Sequence, residues 1–118
     1  MPSDQEHLYK AENNKKVADG LKRTGPTAIG WAITILFYSA LHYIEAFNAK
    51  IGSHFTKHPA LCRYIEMSKD LSPISDQYNE LKALSWNARY TAKRYDERHL
   101  KEAIESHEAV ETHILNLL

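Results

Sequence analysis

Apolar positions recur at three- and four-residue intervals along most of the chain, and no stretch alternates apolar and polar residues as a strand would. The breakers fall between those periodic runs. Gly25-Pro26, Gly52-Ser53, His58-Pro59 and Ser72-Pro73 punctuate the sequence, with prolines where helices begin. Five helices result. The first covers Asp4 to Lys22, with Leu8, Ala11, Ala18 and Leu21 toward the core. The second runs from Pro26 to about Lys50, and a short third follows Pro59 through Leu61, Tyr64, Ile65 and Met67. The fourth takes Ser72 as its cap and Pro73 at its first position. Its apolar stripe is Ile74, Tyr78, Leu81, Leu84, Ala88 and Ala92. Asp96 caps a fifth, in which Leu100, Ala103, Ile104, Val110, Ile114 and Leu117 share one face. Glu102, Glu105, Glu108 and Glu111 form its solvated acidic side. The pattern predicts an all-α chain, an antiparallel bundle of four to five helices, in one domain over residues 1–118.

The second helix carries more than core. From Ala28 to Phe47 it is apolar enough and long enough to cross a bilayer. Thr34, Ser39, His42 and Glu45 argue against lipid, since two of them are costly there, and a helix apolar nearly all round also suits the centre of a bundle. The reading is no membrane. On a helical wheel Trp31, Thr34, Tyr38, His42 and Glu45 fall within about 80 degrees of one another. Ile29, Ile33, Phe37, Ala40, Ile44 and Phe47 occupy the opposite side. The polar and aromatic stripe is either one wall of a site or a set of buried groups satisfying one another and their neighbours.

Composition narrows the classes. Lys+Arg and Asp+Glu number 15 each, so any nucleic-acid contact has to come from a local patch. The single cysteine, Cys62, excludes an internal disulfide framework and a cysteine-rich zinc site. The first residues are polar and acidic, unlike a signal peptide. A cytoplasmic location is expected.

Seven histidines raise the question of metal. His54 and His58 are four apart, but Gly52-Ser53 and Pro59 place at least the first in a loop. On the fifth helix His107 lies in the middle of the apolar face, His99 at its edge and His113 outside it. None shows the paired spacing with a nearby carboxylate that a helical zinc site uses, and no repeated Glu-x-x-His pair of the di-iron kind is present. The expectation is no metal and no cofactor, with His107 a core histidine bonded to a neighbouring helix.

The window from Arg89 to Lys101 holds five Lys/Arg against two acids, with Tyr90 and Tyr95 interleaved. Such a composition holds phosphates and stacks unpaired bases. Within it Arg94 and His99 are separated by four residues. An imidazole moves protons near neutral pH and a guanidinium binds a phosphate as charge develops, which suits RNA cleavage by the ribose 2′-hydroxyl. A basic run at a helix junction is also what a solvated turn looks like.

The chain resembles the HEPN superfamily (higher eukaryotes and prokaryotes nucleotide-binding domain) over nearly its whole length. The likeness lies in Glu6-His7-Leu8-Tyr9-Lys10-Ala11, in Trp31, and in Leu36-Phe37-Tyr38-Ser39-Ala40-Leu41-His42-Tyr43-Ile44-Glu45-Ala46. It continues in His54, His58 and Arg63, then in Tyr78 and Leu81 leading to Ala88-Arg89-Tyr90. The resemblance implies a small stand-alone HEPN-like protein. Many HEPN proteins are metal-independent ribonucleases of toxin–antitoxin, CRISPR-linked and antiviral systems, carrying Arg-x4-6-His near the start of the last long helix and building one cleft from two copies. Arg94 and His99 match that spacing and place, His99 as general acid or base and Arg94 as phosphate holder. Two positions depart: Tyr95 follows the arginine where the family typically has Asn, Asp or His, and Lys101 stands where some family toxins carry a modifiable tyrosine. Small HEPN-like proteins without a functional motif act as binding or partner modules, often beside nucleotidyltransferases. Two readings follow. One is a dimeric metal-independent endoribonuclease of a toxin–antitoxin or defence system using Arg94 and His99. The other is a non-catalytic module binding a nucleotide, nucleic acid or protein partner through Arg89, Tyr90, Tyr38 and His42. The implied partners are RNA or a nucleotide, a second copy of the chain, and a nucleotidyltransferase or antitoxin.

Overall fold

The computed structural model describes residues 2–91 and 94–118, apart from the side chain of Pro26. Its elements are all helical among the described residues. α1 spans Asp4–Lys22, α2 Ile29–Lys50, α3 His58–Met67, α4 Ser75–Tyr90 and α5 Glu97–Leu117. One-turn 3-10 segments at Pro26–Ala28 and Ser72–Ile74 lead into α2 and α4.

Each boundary has a local cause. Ser3 caps α1 by accepting from the Glu6 N–H at 3.1 Å, and the Glu6 carboxylate accepts from the Ser3 N–H at 3.2 Å. This reciprocal pair satisfies donors that a helix start otherwise leaves open. The chain then turns through Gly25 at φ 118°, and leaves α2 through Gly52 at φ 80°. Both values lie where a Cβ is strained, so both turns call for glycine. Asp96 caps α5 as the sequence predicts, accepting from the N–H groups of Arg98 and His99. Ser72 does not cap α4. The prolyl segment makes a separate 3-10 turn, and α4 starts after Ile74 with no side-chain cap. Proline at the first turn suits that tight geometry, since its missing N–H is not needed there.

α2 is the central helix. It packs along α1 and against both α4 and α5, while α4 also packs on α5. The short connection from α1 to α2 and the matched pairs His7 with His42 and Ala11 with Ser39 show that these two helices run antiparallel. Ile29, Ile33, Phe37, Ala40, Ile44 and Phe47 are all buried, as the helical wheel requires. They meet Ala11 and Ala18 of α1, Tyr78 and Leu81 of α4, and Leu100, Ala103, Val110 and Ile114 of α5. Small α1 residues let the two backbones come close, and α3 adds Leu61 and Ile65 at the side. Burying each large aliphatic side chain contributes about 1.5–3 kcal/mol. α2 has the length and hydropathy of a membrane span, yet 67% of its most apolar stretch is buried inside the bundle. Most of its apolar surface is covered by protein.

Ala92, the last member of the predicted α4 stripe, lies outside the described residues. One face departs from expectation. Glu102 and Glu111 are partly buried, so the acidic side of α5 is not uniformly solvated. The Lys15 ammonium donates to both Glu111 oxygens at 2.9 and 3.2 Å, and the Tyr43 hydroxyl donates to one of them at 2.7 Å. Burial pushes the Glu111 carboxyl up, but Lys15 and Tyr43 outweigh it and hold the group below the usual carboxylate range.

Candidate functional site

Three polar constellations line α2 and the α4–α5 junction. The first is built from the end of α4. Arg89, half-buried, donates from Nη1 to the Tyr38 hydroxyl at 2.7 Å and from Nε to the Ser85 carbonyl at 3.3 Å. Its guanidinium lies 5.5 Å from the Tyr38 ring centroid and 5.0 Å from that of Tyr90. Two bonds leave other N–H groups of the guanidinium for a ligand. Arg89 lines a cleft of about 240 Å³ with Thr27, Gly30, Trp31, Thr34 and Ala88. Gly30 faces Ala88 of α4 across this cleft, and a Cβ there would stand in ordinary contact with the Ala88 methyl at 3.7 Å. Trp31, Trp86 and Tyr90 are mostly exposed, and the Trp86 and Tyr90 rings pack at a tilt of 49°, 4.5 Å between centroids. An arginine held close to aromatic rings is a surface that takes a phosphate and a base together.

The second constellation sits at the start of α5. His99 Nδ1 lies 2.9 Å from Asp96 Oδ1 and 3.2 Å from the Asp96 N–H. Whichever tautomer is present, Nδ1 is engaged within the cap, and Nε2 is the nitrogen left for chemistry. The Tyr95 ring packs against the imidazole at 4.6 Å, and the His99 side chain keeps 18% of its surface exposed. The Asp96 carboxyl is held below its ordinary range, first by the His99 N–H, then by the His99 ring and the Arg98 N–H. Arg94 is exposed in the segment leading into this cap. Its neighbours Ala92 and Lys93 lie outside the described residues.

The third constellation joins α1 to α2. His7 Nδ1 stands 3.1 Å from His42 Nδ1 and 3.4 Å from Glu45 Oε2. His7 is buried, while His42 and Glu45 are partly so. Burial, then the charge of His54, pushes the His7 imidazole down, and burial likewise lowers His42 and raises Glu45.

The sequence-derived binding set therefore divides. Arg89, Tyr90 and Tyr38 come together, whereas His42, one turn beyond Tyr38, belongs with His7 and Glu45. The α2 stripe serves two neighbours in turn, α4 through Tyr38 and α1 through His42. Trp31 at its start is exposed, and Thr34 donates back to the Gly30 carbonyl at 3.0 Å. Sequence reasoning missed Asp96 as the partner of the His99 ring, and missed His7 altogether. The Asp-x-x-His spacing at a helix start carries the first signal. His7 has none on its own helix, because its partners lie 35 and 38 residues away.

No curated protein and no solved structure matches the chain. The model of the HEPN domain family matches residues 5–117, nearly the full length and every helix just described. An all-α bundle with a long central helix, matched end to end by that model, is a member of the family: the chain belongs to the HEPN domain family.

Proposed function

We propose that this protein is a metal-independent endoribonuclease of the HEPN type, acting as a homodimer within a toxin–antitoxin or defence system. His99 Nε2 serves as general base toward the ribose 2′-hydroxyl, and Arg94 binds the phosphate as it gains charge. Attack of the 2′-oxygen on phosphorus breaks the bond to the 5′-oxygen, leaving a 2′,3′-cyclic phosphate and a 5′-hydroxyl. A second His99, from the other copy, supplies the proton to the leaving oxygen. The observation that supports this reading best is the Asp96–His99 pair at 2.9 Å, which orients the ring and engages Nδ1. Arg89, Tyr38, Tyr90 and Trp86 serve as the platform that holds the RNA beside it.

The test is RNA incubated with purified protein in EDTA. Cyclic-phosphate ends are expected from the wild type, with rates lower by about 100-fold or more in His99→Ala and Arg94→Ala. Asp96→Asn keeps a capping side chain but loses the carboxylate, and falls between them. Equal cleavage by wild type and variants, or none, removes the reading.

A second reading has its own observation. The Arg89–Tyr38 bond at 2.7 Å assembles a phosphate-and-base surface that needs nothing from His99. On this reading the protein is a binding module for a nucleotide or single-stranded RNA. Arg89→Ala then weakens binding while the helical fold persists, and His99→Ala leaves binding unchanged.

A further inference from the structure

His7, His42 and Glu45 come from two helices, and one ligand-type atom from each lies within 4.8 Å of the other two. As a hydrogen-bonded group the arrangement is poor. The 3.1 Å link between the imidazoles uses one proton, and the 3.4 Å separation of His7 from the carboxylate is too long for a good bond. As a coordination shell it is apt. Ligand bonds of about 2.0–2.2 Å in a tetrahedral site put neighbouring donor atoms about 3.3–3.6 Å apart.

A second observation points the same way. Asn48, one turn of α2 beyond Glu45, is 2% exposed, and neither its Oδ1 nor its Nδ2 has a hydrogen-bond partner among the described residues. A buried amide with both ends unmet is costly and calls for an explanation, a bound ion or water being one. Asn48 lines a cavity of about 140 Å³ together with His7, Glu45, His54 and Phe55. That volume holds several water molecules or a small anion beside a cation.

We propose that His7, His42 and Glu45 bind a divalent first-row transition cation of the zinc type, with its open coordination position facing the Asn48 cavity. Two imidazoles select against magnesium and calcium, which prefer oxygen ligands. Two histidines and a carboxylate leave a fourth place for water, and Asn48 Oδ1 accepts a hydrogen bond from that water. His54, on the loop after α2, flanks the same space. The site links the start of α1 to the second half of α2. It goes beyond the ribonuclease reading and is separate from it, since the cleavage proposed for Arg94 and His99 needs no metal.

The experiment uses the tag-free, metal-stripped full chain titrated with Zn²⁺ and, separately, Co²⁺. One cation per chain is expected, with a Co²⁺ visible spectrum of low coordination number and a rise in melting temperature on adding Zn²⁺. Losing a ligand costs more than losing an outer partner, so His42→Ala and Glu45→Gln each weaken uptake by about 100-fold or more. His99→Ala and His113→Ala bind as the wild type does. Helix content confirms folding of every variant, and the wild-type melting shift needs no variant at all. Absence of saturable uptake and of that shift in the wild type overturns the proposal, as does unchanged uptake in the His42→Ala, Glu45→Gln double variant.

Discussion

Two polar clusters flank α2, each built around histidine and glutamate, and they are finished differently. Toward α5 the cluster is closed. Ser39, fully buried, donates to the Ala11 carbonyl at 2.7 Å and sits 2.8 Å from His107 Nε2. Tyr43 and Lys15 both converge on Glu111 close by. None of these side chains has an orphaned buried atom. Toward the start of α1, His7, His42 and Glu45 approach loosely, and the side-chain amide of Asn48 beside them has no hydrogen-bond partner among the described residues. A polar group inside a bundle stabilises when its partners come from the protein. When they do not, it calls for an explanation, such as a bound water or ion. If that contrast holds, substitutions on the α5 side damage folding, and substitutions on the α1 side leave it intact.

The largest effect is expected at His107. Its ring is 1% exposed, and burial lowers its pKa to about 4. His107→Ala removes a packed ring and leaves Ser39 with one partner fewer, at a cost of about 3 kcal/mol in urea unfolding. The same group makes stability depend on pH. Its folded pKa lies below its unfolded value of 6.5, so the unfolded chain takes up the proton first as pH falls. Stability from the neutral ring is whole above about pH 7, declines between 6.5 and about 4, and loses about 3 kcal/mol over that window. His7 and His42 are also lowered and act in the same direction. Urea midpoints at pH 7.5 and pH 4.5 measure the decline, and His107→Ala flattens most of it. An undiminished slope in that variant would place the dependence elsewhere.

Glu111→Ala comes next, at about 2 kcal/mol. It leaves the Tyr43 hydroxyl buried without an acceptor, whereas Lys15, with 40% of its side chain exposed, turns to water. Ser39→Ala follows at about 1.5 kcal/mol, because the Ala11 carbonyl and the His107 ring both lose their contact. Thermal melts of the two single variants read each cost. A value near zero for both would mean that the closed cluster is no more structural than the open one.

How much of this was legible beforehand follows from where each cause lies. The bounds of α1, the Asp96 cap and the apolar side of α2 are set by near neighbours in sequence, and the residue pattern gives them directly. His107 was readable too, since a histidine in the middle of an apolar stripe has to find a partner across the interface. What failed was register between helices. Glu111 reads as a solvated acid on its own wheel, and only the placement of Lys15, 96 residues away, turns it inward. Arg89 and Tyr38 were both nominated, yet nothing within either helix says that they touch. The expectation of no metal rested on ligand pairs within single helices, so it could not weigh a trio drawn from α1 and α2.

The smallest expected effect is also the sharpest divider, because its sign differs. Asn48 is about as deeply buried as Ser39, Tyr43 and His107 of the closed cluster, at 2% exposed, so ordinary core reasoning predicts that changing it is harmful. Asn48→Leu keeps the branched shape, its larger methyl groups taken up by the adjoining cavity, while removing two polar atoms that have no partner. Their desolvation is a cost the folded state carries without return, and its removal should raise the stability of the metal-free protein by about 1 kcal/mol. The same change should weaken Zn²⁺ uptake by about tenfold, the usual loss when an outer partner of a metal site is removed. Melting temperatures with and without Zn²⁺ read both quantities on one sample. A variant that is less stable without metal would mean that Asn48 has a structural partner after all, and the two sides of α2 would then differ in strength rather than in kind.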